Sequence, residues 1–117
     1  MPFARRLVRC LGQGGSEPGT KRSPEIDFPT RIIIENKSHP ASTLIQVETP
    51  DRLGLLYDLV ACLGRNNVYI ALARISTESG AAIDTFYVTD RRSHSKLMGT
   101  QRMNALHREL HAAAFGG

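Results

Sequence analysis

The sequence predicts an α+β domain in which an antiparallel sheet is covered on one face by two amphipathic helices. Three observations carry this expectation. Four stretches are rich in β-branched or alternating apolar residues and bounded by turn residues, over 31–36, 43–49, 68–77 and 81–89. Two others, 56–63 and 103–113, repeat apolar residues at helical spacing. Their order along the chain is strand, strand, helix, strand, strand, helix. A chain of 117 residues has room for one core. A core of this size buries only about 60–65% of the surface its unfolded chain exposes, so a partner surface is expected to add stability.

Residues 1–29 read as a basic arm or linker, and residues 30–115 as the domain. From Gly12 to Pro29 the chain is mostly Gly, Ser, Pro, Thr and charges (GQGGSEPGTKRSPEIDFP), with too few apolar side chains to offset the entropy of ordering. The leading MPFARRLVRCLGQGGS carries Arg and no acid, as organellar transit peptides do. It lacks their sustained amphipathic period, and an unstructured tail or upstream linker fits it better.

The first strand, Arg31 to Asn36, holds Ile32, Ile33 and Ile34 between Pro29 and the turn residues Asn36 to Pro40. The second, Thr43 to Thr49, alternates, with Ile45 and Val47 expected inward. Pro50-Asp51 ends it. Leu56, Leu59, Val60 and Leu63 then mark a helix with Asp51 as the expected N-cap, leaving through Asn66 or Asn67 in a left-handed conformation. In the third strand, Val68 to about Thr77, the apolar parity shifts, which predicts a bulge near Ala71 or Leu72. Glu78-Ser79-Gly80 turns the chain back into the strand Ala81 to Thr89, forming an antiparallel hairpin. Asp90 to Ser95 is polar loop. From Thr100, the expected N-cap, a second helix carries Met103, Leu106, Leu110 and Ala113 inward. The β-α-β-β-α core is that of a ferredoxin-like unit without its last strand. The leading strand is expected to fill the vacant sheet edge.

The formal charge is +4, and its distribution matters more than its total. Arg5, Arg6, Arg9, Lys21 and Arg22 stand against Glu17, Glu25 and Asp27 in the arm, and beyond it the signs are interspersed. That pattern is a solvated surface rather than a phosphate-binding patch. Cys10 and Cys62 lie in segments of different character, with no secretory signal, so a reduced, cytoplasmic protein is expected. No apolar stretch approaches the roughly 20 residues that span a bilayer.

The junction of the second strand and first helix, Thr49 to Leu56 (TPDRLGLL), is the most informative segment. Gly54 falls where the third helical residue is expected, and glycine there is less favourable than alanine by about 0.8–1 kcal/mol. Either tight packing or the close approach of a ligand accounts for it. A helix N-terminus offers unpaired N–H groups and partial positive charge, which suit a carboxylate.

TLIQVETPDRLGLLYDLVACL followed by VYIALARISTESGAAIDTFYVTD resembles the ACT domain family, and within it the C-terminal ACT domains of bacterial uridylyltransferases that modify the nitrogen-signalling PII protein. FPTRIIIENKSHP is similar to the segment leading into those domains, so the likeness covers Phe28 to Asp90 well and the last helix loosely. The resemblance implies a regulatory homodimer, paired side by side, that binds an amino acid such as glutamine at its interface. It implies no cofactor and no catalytic residue. The nucleotidyltransferase and phosphohydrolase motifs of the full-length enzymes have no room in 117 residues. An alternative is a detached or truncated tail that only dimerises.

By position, Asp51 and Gly54 match the family's acidic-or-Asn and Gly loop positions, and Tyr69 stands where amino-acid-binding relatives often place a polar ligand contact. A zwitterion's carboxylate would meet the N–H groups of Leu53, Gly54 and Leu55, and its ammonium Asp51. A charge at a helix terminus contributes about 0.3–2 kcal/mol, whereas micromolar affinity needs roughly 8 kcal/mol. A second wall, supplied by a partner chain, is therefore expected.

Other chemistries fit less well. His107 and His111 are one turn apart, but Arg108 stands where a zincin has Glu and no third ligand is near, so a solvent-exposed face is expected and no metal site. Cys62 reads as a structural thiol, and Asp84 and Asp90 as turn and surface residues. RNA-binding RRM domains share the strand order, yet AAIDTFYVT begins with small residues and an acid and carries no Arg or Lys. No nucleic-acid partner is expected.

Overall fold

The computed structural model of the protein describes residues 29–116. The arm expected over 1–29, with Cys10, lies outside the described residues apart from Pro29. The elements are β1 (Arg31–Glu35), β2 (Thr43–Pro50), α1 (Leu55–Arg65), β3 (Val68–Glu78), β4 (Ala81–Asp90) and α2 (Thr100–Ala114). They form one four-stranded antiparallel sheet in the order β1-β2-β4-β3, an α+β ferredoxin-like arrangement. The leading strand does take the vacant edge: β1 pairs with β2 from Arg31↔Glu48 to Glu35↔Leu44.

The connection between them is tied by its own polar groups. The Glu35 carboxylate accepts the Lys37 and Ser38 backbone N–H groups at 2.6 and 3.0 Å. His39 Nδ1 accepts those of Ala41 and Ser42 at 3.0 Å each.

Alternation puts Thr43, Ile45, Val47 and Thr49 of β2 and Ala82, Asp84, Phe86 and Val88 of β4 on one buried face. The pairs Ile45↔Phe86 and Val47↔Asp84 fix that register. The expected bulge is present, as a register shift between Ile70 and Leu72. The hairpin turn uses left-handed backbone at Ser79 (φ 52°) and Gly80 (φ 84°), as two-residue turns between twisted strands do. Asn67 leaves α1 at φ 60° in the expected left-handed conformation.

Three local expectations are corrected. The buried face of α1 is Leu55, Leu59, Cys62 and Leu63, whereas Leu56 and Val60 are each 41% exposed. The helix packs against α2 as well as β3. The Cys62 side faces α2, where Asn66 Nδ2 reaches Glu109 at 3.4 Å. Leu56 and Val60 are left at the outer margin. Asp51 is not the N-cap of α1, because Gly54 occupies that position and its carbonyl accepts the first helical bond, from Asp58 N–H at 3.0 Å. Likewise Thr100 is already helical, since the Gly99 carbonyl accepts from Met103 N–H at 3.0 Å.

Leu97, in the irregular stretch before α2, is fully buried. Its N–H donates to Thr43 Oγ1 at 2.8 Å and its carbonyl accepts from Asn36 Nδ2 at 2.9 Å. Asp90 is the turn residue expected. It accepts the Arg92 and Ser93 N–H groups at 2.7 and 3.0 Å and pairs with Arg102, whose hydrogen bond holds the carboxyl well below the usual carboxylate range.

Candidate functional site

Where β2 ends, the chain must turn into α1 across the end of the β3–β4 hairpin. Asp51 N–H donates to the Gly80 carbonyl at 2.9 Å, which fastens the segment to that hairpin. Arg52 to Leu55 then closes a β-turn, the Leu55 N–H donating to the Arg52 carbonyl at 3.2 Å. Gly54 is the third residue of the turn with φ 81° and ψ −2°, the values a type II turn demands. Its presence is thus explained by turn geometry before the helix, not by a third helical position. A Cβ on Gly54 would meet nothing nearer than Arg52 Nη1 at 3.7 Å, so backbone strain alone sets the cost. We expect Gly54→Ala to lose about 1–2 kcal/mol of stability in urea denaturation, with the midpoint lowered and the slope unchanged.

Beneath this turn lies a hollow of about 270 Å³. The loop supplies Asp51, Arg52, Leu53 and Gly54, α1 supplies Leu55, Leu56 and Tyr57, and the sheet supplies Ile75, Thr77, Ala82 and Asp84. Of the sequence-predicted residues, Asp51, Leu53, Gly54 and Leu55 come together here. The Asp51 carboxyl is not spent on the helix cap, so the competition between capping and ligand does not arise. Leu55 N–H is engaged by the turn itself. Leu53 stands at the tip with its side chain 99% exposed. Tyr69 is elsewhere. It pairs with Thr89, at the far end of β3 from Ile75 and about 20 Å along the strand, and it points to the uncovered face of the sheet.

Two residues of the site were not read as site residues from the sequence. Arg52 donates to Asp58 Oδ2 (2.8 Å), to the carbonyls of Ala113 (2.6 Å) and Ala114 (3.1 Å), and to its neighbour Leu53 (3.1 Å). It pins the loop to the C-terminus of α2, where a cation also complements the helix dipole. Asp84, expected at the surface, is instead only 2% exposed and faces the helices, because strand alternation sets it beside Ala82 and Phe86. Burial, together with the charge of Asp51, pushes its carboxyl up to about 6, against a hydrogen bond from the Ser76 backbone that favours the ionised form.

A raised folded-state value means that protonated Asp84 stabilises the fold. That contribution is complete below the unfolded value near 3.8 and is lost as pH rises through about 6. Discounted for screening, the loss is about 2 kcal/mol. Unfolding free energies of the protein and of Asp84→Asn, measured from pH 4 to 8, should therefore diverge progressively in favour of the variant and run parallel above about pH 7. Parallel curves throughout would show that Asp84 titrates normally.

Elsewhere, His107 Nε2–H donates to the Ile32 carbonyl at 3.2 Å, and His111 meets Phe115 edge-on at 5.0 Å. Among the described residues no group of three or more His, Cys, Asp or Glu is placed to hold a metal ion. Burial raises the Cys62 thiol above its ordinary value, which leaves it a packed apolar group rather than a nucleophile. No helix among the described residues is long and apolar enough to cross a membrane.

Comparison with known proteins covers the same residues. A family model described as an ACR9-like, ACT-like domain matches residues 31–115. The bifunctional uridylyltransferase/uridylyl-removing enzyme of Cereibacter sphaeroides is 41% identical over 97 residues, which is 83% of this chain and 10% of that enzyme. Its namesake from Ruegeria pomeroyi is 46% identical over 70 residues, 60% of this chain and 8% of the enzyme. The ACT domain-containing protein ACR1 of Arabidopsis thaliana is 36% identical over 62 residues, 53% of this chain and 13% of that protein. The chain thus spans about a tenth of the length of these curated relatives.

Proposed function

The chain belongs to the ACT-like domain family, and from that premise we propose that residues 30–115 form a non-catalytic regulatory module that senses a small amino acid, glutamine foremost, where two copies meet. The observation that carries this reading is the hollow under the Gly54 turn, walled by Asp51 and floored by Asp84 of the inner strand β4. Its β3 wall, Ile75 and Thr77, belongs to an edge strand of the sheet. There Ile75 (47%) and Leu56 (41%) are exposed, and so is Val60, one helical turn beyond Leu56. A second copy laid along this edge would cover those apolar side chains and supply the missing wall, since the helix terminus alone gives too little binding energy. Ligand binding then changes how two chains, or two fused domains, sit together, in proportion to its preference for one arrangement. The transfer and removal reactions in the relatives' names belong to those much longer enzymes.

Thermal-shift screening of the protein against the common amino acids and nucleotides tests this. We expect at least one amino acid at millimolar concentration to raise the melting temperature, with sedimentation showing a dimer at micromolar protein. No shift with any amino acid sinks the sensing role. A dimer indifferent to every amino acid would instead favour a purely dimerising relative of the uridylyltransferase tail, a reading that the position of Tyr69, far from the hollow, supports. A monomer at micromolar concentration would exclude both.

A further inference from the structure

Among the described residues one buried side-chain polar atom has no hydrogen-bond partner, Oδ1 of Asp84. Buried carboxyl oxygens are ordinarily satisfied, because leaving one without a donor costs its desolvation with nothing gained in return. Oδ1 is closed to solvent, but the residue that bears it lines a hollow, so a small turn of the carboxyl brings it to a donor entering there.

The groups around it decide which kind of donor. From β3, Ile75 and Thr77 line the same hollow, and the Ser76 backbone donates to the Asp84 carboxyl. From α1 come Leu55, Leu56 and Tyr57, the last a rim residue 76% exposed. The loop contributes Asp51, whose charge acts on Asp84, and Arg52. Arg52 does not neutralise the floor, since its guanidinium is spent on Asp58 and on the carbonyls of Leu53, Ala113 and Ala114. The hollow is therefore acidic on balance, and Oδ1 of Asp84 has no donor. An ammonium group supplies three N–H donors and a positive charge. The volume, about 270 Å³, lies at the small end of ligand sites and suits a metabolite rather than a nucleotide.

We propose that Asp84 is the amine-binding residue of this site, its free Oδ1 and the Asp51 carboxyl receiving the primary ammonium group of an amino acid whose side chain is uncharged or basic. The ligand class rests on the amino-acid reading above, and the residue assignment is new to it. Two carboxyls facing one ligand discriminate against acidic or phosphorylated side chains. Binding needs the ionised form of Asp84, so affinity falls as pH drops through about 6.

The test follows the Asp84 side-chain carbonyl and the Thr77 and Ala82 amides by NMR on the full chain. The probes are the common amino acids, glutaramate (glutamine without its amine) and n-butylammonium chloride, applied to the protein and to Asp84→Asn. We expect an amino acid to bind, Asp84→Asn to weaken it at least tenfold without lowering the melting temperature, and glutaramate to leave the spectrum unmoved. n-Butylammonium should shift the Asp84 signal in the unsubstituted protein and lose affinity from pH 7 to 5. Equal amino-acid affinity in both proteins overturns the assignment and leaves amino-acid sensing intact. A response to n-butylammonium at Asp84 with none to any amino acid does the reverse. Silence at Asp84 with every probe overturns the assignment, and this readout needs no variant to fold.

Discussion

Leu97→Ala is expected to cost about 3 kcal/mol and to lower the melting temperature by roughly 15 °C. The side chain is fully buried although it lies in no helix or strand. Its backbone is held on both sides, by Thr43 Oγ1 and by Asn36 Nδ2, so the segment cannot collapse into the space that the lost methyl groups leave. A cavity that does not relax gives the larger values seen for leucine truncation. Out of a total stability of about 5–10 kcal/mol for a domain this size, that is a large fraction. Met98 next to it is 70% exposed, and Met98→Ala should change stability by no more than about 0.5 kcal/mol. Urea denaturation of the two variants in parallel decides the matter. A loss below about 1 kcal/mol for Leu97→Ala would mean that the segment does not pack as described.

Arg52→Ala carries the second large effect, about 2–3 kcal/mol, because one charged group makes several hydrogen bonds and its removal leaves two helix-terminal carbonyls and Asp58 without it. The pair with Asp58 is only partly exposed (29% and 37%), which places it above a surface ion pair without making it a buried one. Arg52→Lys keeps the charge but cannot fork between a carboxylate and two carbonyls, so it should recover less than half of the loss. A double-mutant cycle with Asp58→Ala separates the ion pair from the carbonyl contacts, and additive losses would show that the two side chains do not interact. Since Arg52 also frames the hollow, weakened ligand binding should accompany the weakened fold.

Much of the architecture was legible because it rests on local patterns. Alternation in β2 needs one buried face, and the turn residues after β1 and β3 have few other uses. Even the edge position of β1 followed, from counting strands against a unit that lacks one. The helix margins were less legible. Leu56 and Val60 continue the apolar spacing of α1 as well as Leu55 and Cys62 do, and only the position of α2 decides which side is buried.

The candidate site divides in the same way. Gly54 stood out because a glycine is unfavourable inside a helix, and Asp51 because an acid precedes it at the expected helix start. Asp84 did not, since both faces of β4 carry apolar residues, Phe86 and Val88 on one and Ile83 and Tyr87 on the other, so that parity alone leaves the inner face open. Pairing with Val47 resolves it, and the aspartate goes inside. Arg52 looked like any surface arginine because the carbonyls it binds come from residues about sixty positions later in the chain. Tyr69 was placed near the site by the resemblance to amino-acid-binding relatives, whereas in the structure an extended strand carries it away from the hollow.

By itself, then, the sequence determined the element order, the bulge, the turns and the family likeness, all properties of neighbours within a few residues. Only the tertiary structure decided that a carboxyl of β4 lies under the Gly54 turn with an oxygen unsatisfied, and that Arg52 ties that turn to the last helix. Both depend on contacts between residues distant in the chain, whose hydrogen bonds and desolvation no local pattern records.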